Sequence, residues 1–81
     1  MTLILGDGVP EIFEALPRPI QQEAARLLRL LLTQPRMYPV RLRGLMKGYR
    51  YFSVDGYLFY YQVSSSQVRL SAVIPGRMRQ A

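Results

Sequence analysis

Arginine, lysine and tyrosine are the side chains of this chain that could do chemistry, because the sequence contains no histidine and no cysteine. The lack of histidine removes the usual general base and the most common metal ligand. The lack of cysteine removes disulfides and thiolate-bound metals. Guanidinium, ammonium and phenol groups can still hold a phosphate and stabilise the charge that develops on it. The sequence therefore predicts phosphate binding without a metal or a cofactor.

The basic residues are concentrated in the second half of the chain. Residues 1–35 carry a charge balance of −1, whereas the residues from Arg36 onward carry +7, with Asp55 as their one acidic member. The net charge of the 81 residues is +6. Such a one-sided excess is typical of a phosphate-binding surface, since each neutralised phosphate releases counterions. A solvated arginine-rich surface without a ligand is the alternative.

The length of 81 residues allows one domain, and residues 1–81 are treated as that domain. The longest apolar run, residues 27–32, is interrupted by Arg29 and is too short to cross a bilayer. Residues 1–5 have neither a basic start nor a small-residue cleavage site. We therefore expect a cytoplasmic protein that has no membrane partner.

Two helices are predicted in the first half, after a short strand at residues 2–5. Asp7 or Gly8 lies where a helix cap belongs. This first helix is brief because Pro17 breaks it. The second helix continues until Pro35 stops it, and its apolar residues recur at three- and four-residue spacing. The two helices form a hairpin with one apolar stripe.

The periodicity changes to two in the second half and predicts strands at residues 40–43, 49–54, 57–63 and 67–74. Asp55-Gly56 predicts a type I′ hairpin turn. The chain is therefore predicted to be α+β, with an N-terminal strand and a helical hairpin packed on a three- to four-stranded antiparallel sheet.

Alternation assigns the strand residues to two faces of this sheet. In the third strand, Tyr57, Phe59, Tyr61 and Val63 share the buried face, and Leu58, Tyr60 and Gln62 share the open one. In the fourth, the apolar face is predicted to be Val68, Leu70, Ala72 and Ile74, opposite Arg69, Ser71 and Val73. We expect Arg50 on the open face, as a phosphate contact.

Four motifs in this half carry a family resemblance. They are Arg41-Leu42-Arg43-Gly44, Gly48-Tyr49-Arg50, the run 55–63 with its Tyr-x-Val ending, and Val73-Ile74-Pro75-Gly76-Arg77. In order and spacing the chain resembles the RelE/ParE superfamily of bacterial toxins. The resemblance covers nearly the whole chain and implies the fold predicted above.

The resemblance also implies an activity. RelE-like enzymes are metal-independent endoribonucleases that cut mRNA in the ribosomal A site, with the RNA's own 2′-hydroxyl as the nucleophile. It implies Arg50 as a catalytic residue, and Arg77 or Arg79 as the catalytic arginine after Gly76, although Met78 stands at the strictly aligned position. Tyr60 is a further catalytic candidate because its predicted face would let it stack on a base or donate to a phosphate; packing across the sheet against Arg50 or Val73 is the alternative. The chain departs from the family at Leu58, where active relatives usually carry an arginine, and at Phe52, which is often lysine.

Other basic residues are predicted to bind the nucleic-acid backbone. They are Arg41, Arg43 and Lys47, in or beside the first strand of the meander, and Arg69 in the last. Cations on an edge strand also prevent sheets from aggregating, which is the alternative role.

Three functions remain open at this point. The first is a RelE-like toxin that cleaves mRNA on the ribosome and represses translation. The second is a ParE-like or catalytically degenerate member that binds a protein partner or nucleic acid without cutting RNA. The third is a small basic nucleic-acid-binding module unrelated to toxins. A cognate antitoxin is implied as a partner, and exposed Leu30 and Met37 would suit that antitoxin or a homodimer.

Overall fold

A computed structural model describes residues 1–76, which form four strands and two helices. The elements are β1 (Thr2–Leu5), α1 (Val9–Glu14), α2 (Arg18–Leu31), β2 (Arg50–Val54), β3 (Tyr57–Val63) and β4 (Gln67–Pro75). The α+β prediction is confirmed at this level. The predicted catalytic residues Arg77 and Arg79 lie outside the described residues. Within residues 1–76, no helix has the length and apolar character needed to span a membrane.

The sheet has the order β1-β4-β3-β2 and is mixed. The β2–β3 and β3–β4 pairs are antiparallel, as the meander predicts. The N-terminal strand β1 joins the same sheet parallel to β4, from Thr2 opposite Gln67 to Leu5 opposite Leu70. The prediction of a purely antiparallel sheet is therefore wrong, because α1 and α2 form a crossover that returns the chain to the sheet.

The predicted strand at residues 40–43 is reduced to one bridge between Val40 and Arg50. Positive φ angles at Gly44, Met46 and Gly48 then turn the chain three times within five residues, so no strand continues beyond residue 43. Residues 41–48 instead form a closed loop, hereafter the 41–48 loop. Its ends are joined by hydrogen bonds from Gly48 N to Arg41 O and from Arg41 N to Tyr49 O.

The helical hairpin is held at its corner by one glutamine. The side-chain amide of Gln21 donates to the carbonyl oxygens of Glu14 (2.9 Å) and Leu16 (3.1 Å), which satisfies acceptors at the end of α1. Gly8 is the N-cap of α1 and adopts a left-handed conformation, φ +78°. One face of α2 is buried against the sheet through Ile20, Ala24, Leu27, Leu28 and Leu31.

The helices cover one face of the sheet, the core face, and leave the opposite face, here called the open face. Core-face strand residues are Phe52, Val54, Phe59, Tyr61, Val68, Leu70 and Val73. Phe52 and Phe59 stack at a centroid distance of 5.0 Å. The turn at Asp55 (φ +49°) and Gly56 (φ +87°) has the two positive φ angles that the type I′ prediction requires.

A β-bulge in β4 changes the predicted faces. Tyr61 is opposite Leu70 and Tyr60 is opposite Ala72, so Ser71 is the extra residue. Beyond the bulge the alternation is inverted, because one inserted residue moves every following side chain to the other face. Val73 is therefore buried in the core, and Ile74 lies on the open face. The prediction that Ala72 and Ile74 belong to the apolar core face is wrong.

Candidate nucleic-acid interface

The open face is built mainly on β3 and β4. Leu58 is opposite Ile74, Tyr60 is opposite Ala72 and Gln62 is opposite Arg69, so these pairs share that face. Tyr51 of β2 is opposite Tyr60, and their ring centroids are 5.6 Å apart. The face thus has an aromatic and aliphatic centre and a polar end at Gln62 and Arg69.

Tyr60 lies where the sequence predicts, but it is covered. Its relative exposure is only 3%, although it is not a member of the helix-facing core cluster. The cover includes Arg41, whose Cζ lies 5.9 Å from the centroid of the Tyr60 ring. Arg41 Nη1 also donates a 3.2 Å hydrogen bond to the Tyr60 hydroxyl. The 41–48 loop therefore closes over the open face and places a cation there.

Arg41 is held from a second side by its own loop. Its Nε donates a 3.2 Å hydrogen bond to the carbonyl oxygen of Arg43. Both acceptors are neutral oxygens, so neither of these hydrogen bonds pairs the guanidinium with a carboxylate. Within residues 1–76, the salt bridge present is between Arg26 and Glu23 on α2. The cation of Arg41 is thus fixed in position and available to an anion.

A cavity of about 140 Å³ opens beside Arg41 and Tyr60. Its remaining lining residues are Leu45, Met46, Leu58, Ile74 and Gly76. The wall is therefore apolar except for the guanidinium and the phenol. This space is hereafter the open-face cavity. A second cavity of about 230 Å³ lies at the polar end of the face, lined by Gln62, Val63, Ser64, Gln67 and Arg69.

The other predicted backbone-binding residues are exposed. Arg43 and Lys47 are exposed on the 41–48 loop, and Arg69 is exposed on β4 beside Gln62. The structure thus brings Arg41 and Tyr60 together, and it places Arg69 at the other end of the same face. The open-face residues of the described strands include no acidic side chain. The open face with Arg41 and Arg69, together with the exposed loop cations Arg43 and Lys47, is hereafter called the positive surface.

Arg50 does not belong to this surface, and its predicted placement on the open face is wrong. It is opposite Tyr61 in the β2–β3 pair and therefore points to the core face. Its Nη1 donates to the carbonyl oxygens of Tyr38 (2.7 Å) and Arg36 (3.4 Å). The sequence indicates this core-face placement of Arg50. Arg50, Phe52 and Val54 follow one another at two-residue spacing, and strand residues at that spacing share one face.

Tyr61 contacts the segment of residues 35–38, which Arg50 also contacts, from the core face of the sheet. It is fully buried, and its hydroxyl donates a 3.1 Å hydrogen bond to the carbonyl oxygen of Pro35. Burial raises the pKa of the Tyr61 phenol above its ordinary value, while the nearby charge of Arg50 acts to lower it. Tyr61 and Arg50 thus anchor residues 35–38, and neither faces the positive surface.

Sequence reasoning missed Leu45, Met46 and Ile74 as lining residues of the open-face cavity. Ile74 was assigned to the wrong face because the bulge has no local signal. Leu45 and Met46 reach the cavity only because the loop folds back over the sheet. Gly44 and Gly48, which allow that fold, were visible in the sequence as turn residues.

Among the described residues, no group of three or more carboxylate-type ligands is arranged to hold a metal ion. Comparisons with known proteins found no match: no protein-family model, no curated protein and no solved structure matches this chain. The resemblance to the RelE/ParE superfamily therefore remains a prediction from the four sequence motifs.

Proposed function

We propose that the protein is a RelE/ParE-like toxin component that acts in the cytoplasm on mRNA bound to the ribosome. One observation carries the proposal: Arg41, Arg69 and Tyr60, which are all predicted to contact nucleic acid, lie on one face of the sheet, and the helices cover the other. A positive groove with aromatic side chains is what single-stranded nucleic acids bind. The strand–helix–helix–three-strand order is also the one that the sequence resemblance implies.

RNA binding has more support than RNA cleavage. An endoribonuclease of this class must orient a 2′-hydroxyl and stabilise the charge on the scissile phosphate. Tyr60 and Arg41 stand beside the open-face cavity, but Arg50 is bound to backbone carbonyls on the core face. Leu58 contributes an apolar wall where active relatives usually carry an arginine. These placements favour the second candidate, a member that binds RNA or a protein without cleaving RNA.

One experiment separates the two candidates. The protein is added to a translating extract, new mRNA ends are mapped by primer extension, and translation is followed in parallel. RelE-like cleavage predicts new ends within codons, which Arg41→Ala abolishes. The binding-only candidate predicts repressed translation with intact mRNA. The matched control is Arg29→Ala, which removes an exposed arginine from α2 and should behave as wild type.

If neither cleavage nor repression occurs, and the protein binds no single-stranded RNA at low salt, the toxin proposal is wrong. Salt-sensitive binding to any polyanion, without an effect on translation, would instead support the unrelated basic module.

A cognate antitoxin is the proposed protein partner. Leu30 and Met37 are exposed apolar side chains, with relative exposures of 38% and 44%. An acidic neighbouring gene product that co-purifies with the chain would support this partner. A stable homodimer that forms without it would support self-association through the same residues.

A further inference from the structure

Two leucines of the 41–48 loop are the most exposed large apolar side chains of residues 1–76. Leu45 has a relative exposure of 82% and Leu42 of 78%, whereas the next, Met1, has 49%. Scattered exposed leucines need no explanation, but two on one short loop mark a candidate interaction surface. The proposed RNA contacts use cations and Tyr60, so they do not account for these two leucines.

The same loop is basic. It contains Arg41, Arg43 and Lys47, of which Arg43 and Lys47 are exposed. Residues 24–54 include no acidic residue, so no neighbour in the sequence offsets this charge. Apolar side chains and cations at one place are the two contributions that hold a protein on the surface of an anionic membrane.

We propose that the 41–48 loop docks the protein on an anionic lipid surface, with Leu42 and Leu45 inserted among the headgroups and Arg43 and Lys47 on the lipid phosphates. The inference does not rest on the proposed RNA function. It concerns peripheral binding, which requires no membrane-spanning helix. The sequence-based expectation of no membrane partner came from the lack of a spanning run and of a signal segment, and peripheral docking needs neither.

The backbone of the loop is suited to a surface where water is scarce. Four loop carbonyls accept hydrogen bonds from the loop itself or from Tyr49: those of Arg41, Arg43, Gly44 and Met46. A carbonyl already bonded within the protein loses little when water is removed from it. Gly44 (φ +82°) and Gly48 (φ +91°) adopt the left-handed turns that close the loop. The loop therefore has its docking shape before it meets a membrane.

The cations are close enough to the leucines in the chain to act at the same point. Arg43 and Lys47 are each two residues from Leu45. Their long apolar stems allow them to keep the charge among the headgroups while the leucine inserts beside them. Each of the two should strengthen binding to an anionic surface about fivefold.

A protein partner fits this loop less well than a lipid surface. A stable protein interface uses about 20 residues from each side, and the loop spans only residues 41–48. A second copy would bring two chains of net charge +6 together at their basic loops, which repel each other. A lipid surface has no such area requirement, because headgroups surround an inserted side chain. An acidic peptide is the competing probe in the experiment.

Tryptophan fluorescence tests the insertion directly, because the chain contains no tryptophan. Leu45→Trp places one on the loop. Ile12→Trp, at an exposed apolar position of α1, is the matched control on the helix-covered side. Vesicles of phosphatidylcholine and phosphatidylglycerol should shift the emission of Leu45→Trp to the blue, and added salt should reverse the shift. Vesicles of phosphatidylcholine alone should cause no shift, and neither vesicle should shift Ile12→Trp.

Co-sedimentation with the anionic vesicles separates the apolar contribution from the charge. Leu42→Ser combined with Leu45→Ser should weaken binding about tenfold. Arg43→Ala and Lys47→Ala should each weaken it about fivefold, and Arg29→Ala should leave it unchanged. All five side chains are exposed, so the variants should keep the circular dichroism spectrum of the wild type.

Three results would overturn the proposal. The first is an unchanged emission of Leu45→Trp with the anionic vesicles. The second is full vesicle binding by the double serine variant, which would mean that the cations bind lipid as they bind any polyanion. The third is a poly-glutamate peptide that shifts the emission of Leu45→Trp as far as the vesicles do, which would assign the loop to an acidic protein.

The proposed RNA function fails separately from this surface. Vesicle binding without any effect on mRNA or translation would leave the lipid proposal standing and remove support from the RNA function. Repressed translation or cleaved mRNA, from a chain that does not bind the anionic vesicles, would support the RNA function and overturn the lipid proposal.

Discussion

The Nη1 atom of Arg50 lies 2.7 Å from the carbonyl oxygen of Tyr38 and donates a hydrogen bond to it. The same nitrogen is 3.4 Å from the carbonyl oxygen of Arg36. Arg50, a basic residue of β2, therefore holds the backbone of the segment between α2 and β2 in place. Part of the positive charge of this chain therefore has a structural use, on the core face of the sheet.

Replacement of Arg50 should reduce stability more than RNA affinity. Arg50→Ala removes charge-assisted hydrogen bonds to backbone oxygens, and we expect a loss of about 1.5 kcal/mol in the free energy of unfolding. RNA affinity, measured by fluorescence anisotropy on the folded fraction, should change by less than about twofold because the side chain is on the other face. Denaturant titration gives the stability.

Arg36→Ala is the matched control for that change. The Arg36 side chain is exposed, and its carbonyl, which is the group that Arg50 contacts, remains in the variant. Its unfolding free energy should stay within about 0.5 kcal/mol of wild type. A large loss of RNA affinity in Arg50→Ala at unchanged stability would show that Arg50 reaches the nucleic acid.

Tyr61→Phe should lower stability and alter its response to alkaline pH. The variant loses the hydrogen bond to the Pro35 carbonyl, which we expect to cost about 1 kcal/mol near neutral pH. Because burial raises the pKa of Tyr61 in the folded state, the unfolded chain releases this proton first. The stabilisation that the Tyr61 phenol contributes is fully present below about pH 10 and declines as the pH rises above that value.

The stability difference between wild type and Tyr61→Phe should therefore be constant from about pH 8 to about pH 10 and shrink between about pH 10 and about pH 11. Denaturant unfolding across that range measures it. Tyr49→Phe is the control, since the half-buried Tyr49 makes no side-chain hydrogen bond within residues 1–76. A constant difference at every pH would mean that the Tyr61 proton is not coupled to folding.

The salt dependence of RNA binding should show whether the cations of the positive surface contact RNA phosphates. If Arg41, Arg43, Lys47 and Arg69 each contact a phosphate, the logarithm of the association constant should fall against the logarithm of salt concentration with a slope of about −3. Each single alanine variant should make the slope shallower by about 0.7. Arg29→Ala should leave it unchanged. A slope that none of the four substitutions alters would place the RNA elsewhere on the chain.

Gly76→Ala should disturb the end of β4. The Gly76 N–H donates a 2.7 Å hydrogen bond to the Gly56 carbonyl, and a Cβ at position 76 would lie 2.8 Å from that oxygen. The β2–β3 turn must shift to relieve this contact, at a cost of about 1–3 kcal/mol. Thermal unfolding measures the loss. Pro75→Ala, at the exposed neighbouring position, is the control and should be milder.

The helices, the β2–β3 turn and the alternation of β3 could be predicted from the sequence because each depends on local chemistry. Pro17 and Pro35 limit the helices, and Asp55-Gly56 accepts the two positive φ angles of its turn. In β3, the alternation correctly placed Tyr61 in the core and Tyr60 on the open face.

The remaining features depend on contacts between distant residues. No local pattern shows that β1 pairs with β4, because the pairing is decided when the crossover helices pack. The bulge at Ser71 likewise has no recognisable sequence pattern. It moves Val73 to the core face and Ile74 to the open face. The cover that the 41–48 loop places over Tyr60 follows from three positive φ angles, of which only those at Gly44 and Gly48 are typical of their residue type.

The parallel pairing of β1 with β4 has a consequence for the order of folding. Thr2 has its partner at Gln67, so the first strand of the sheet has nothing to pair with until nearly all of the described chain has been synthesised. Contacts this distant in sequence carry a large loop-closure entropy and slow the folding of small domains. The β2–β3 hairpin can form early, whereas the β1 edge must be added last. A chain emerging from the ribosome can therefore complete this sheet only after β4 has been synthesised.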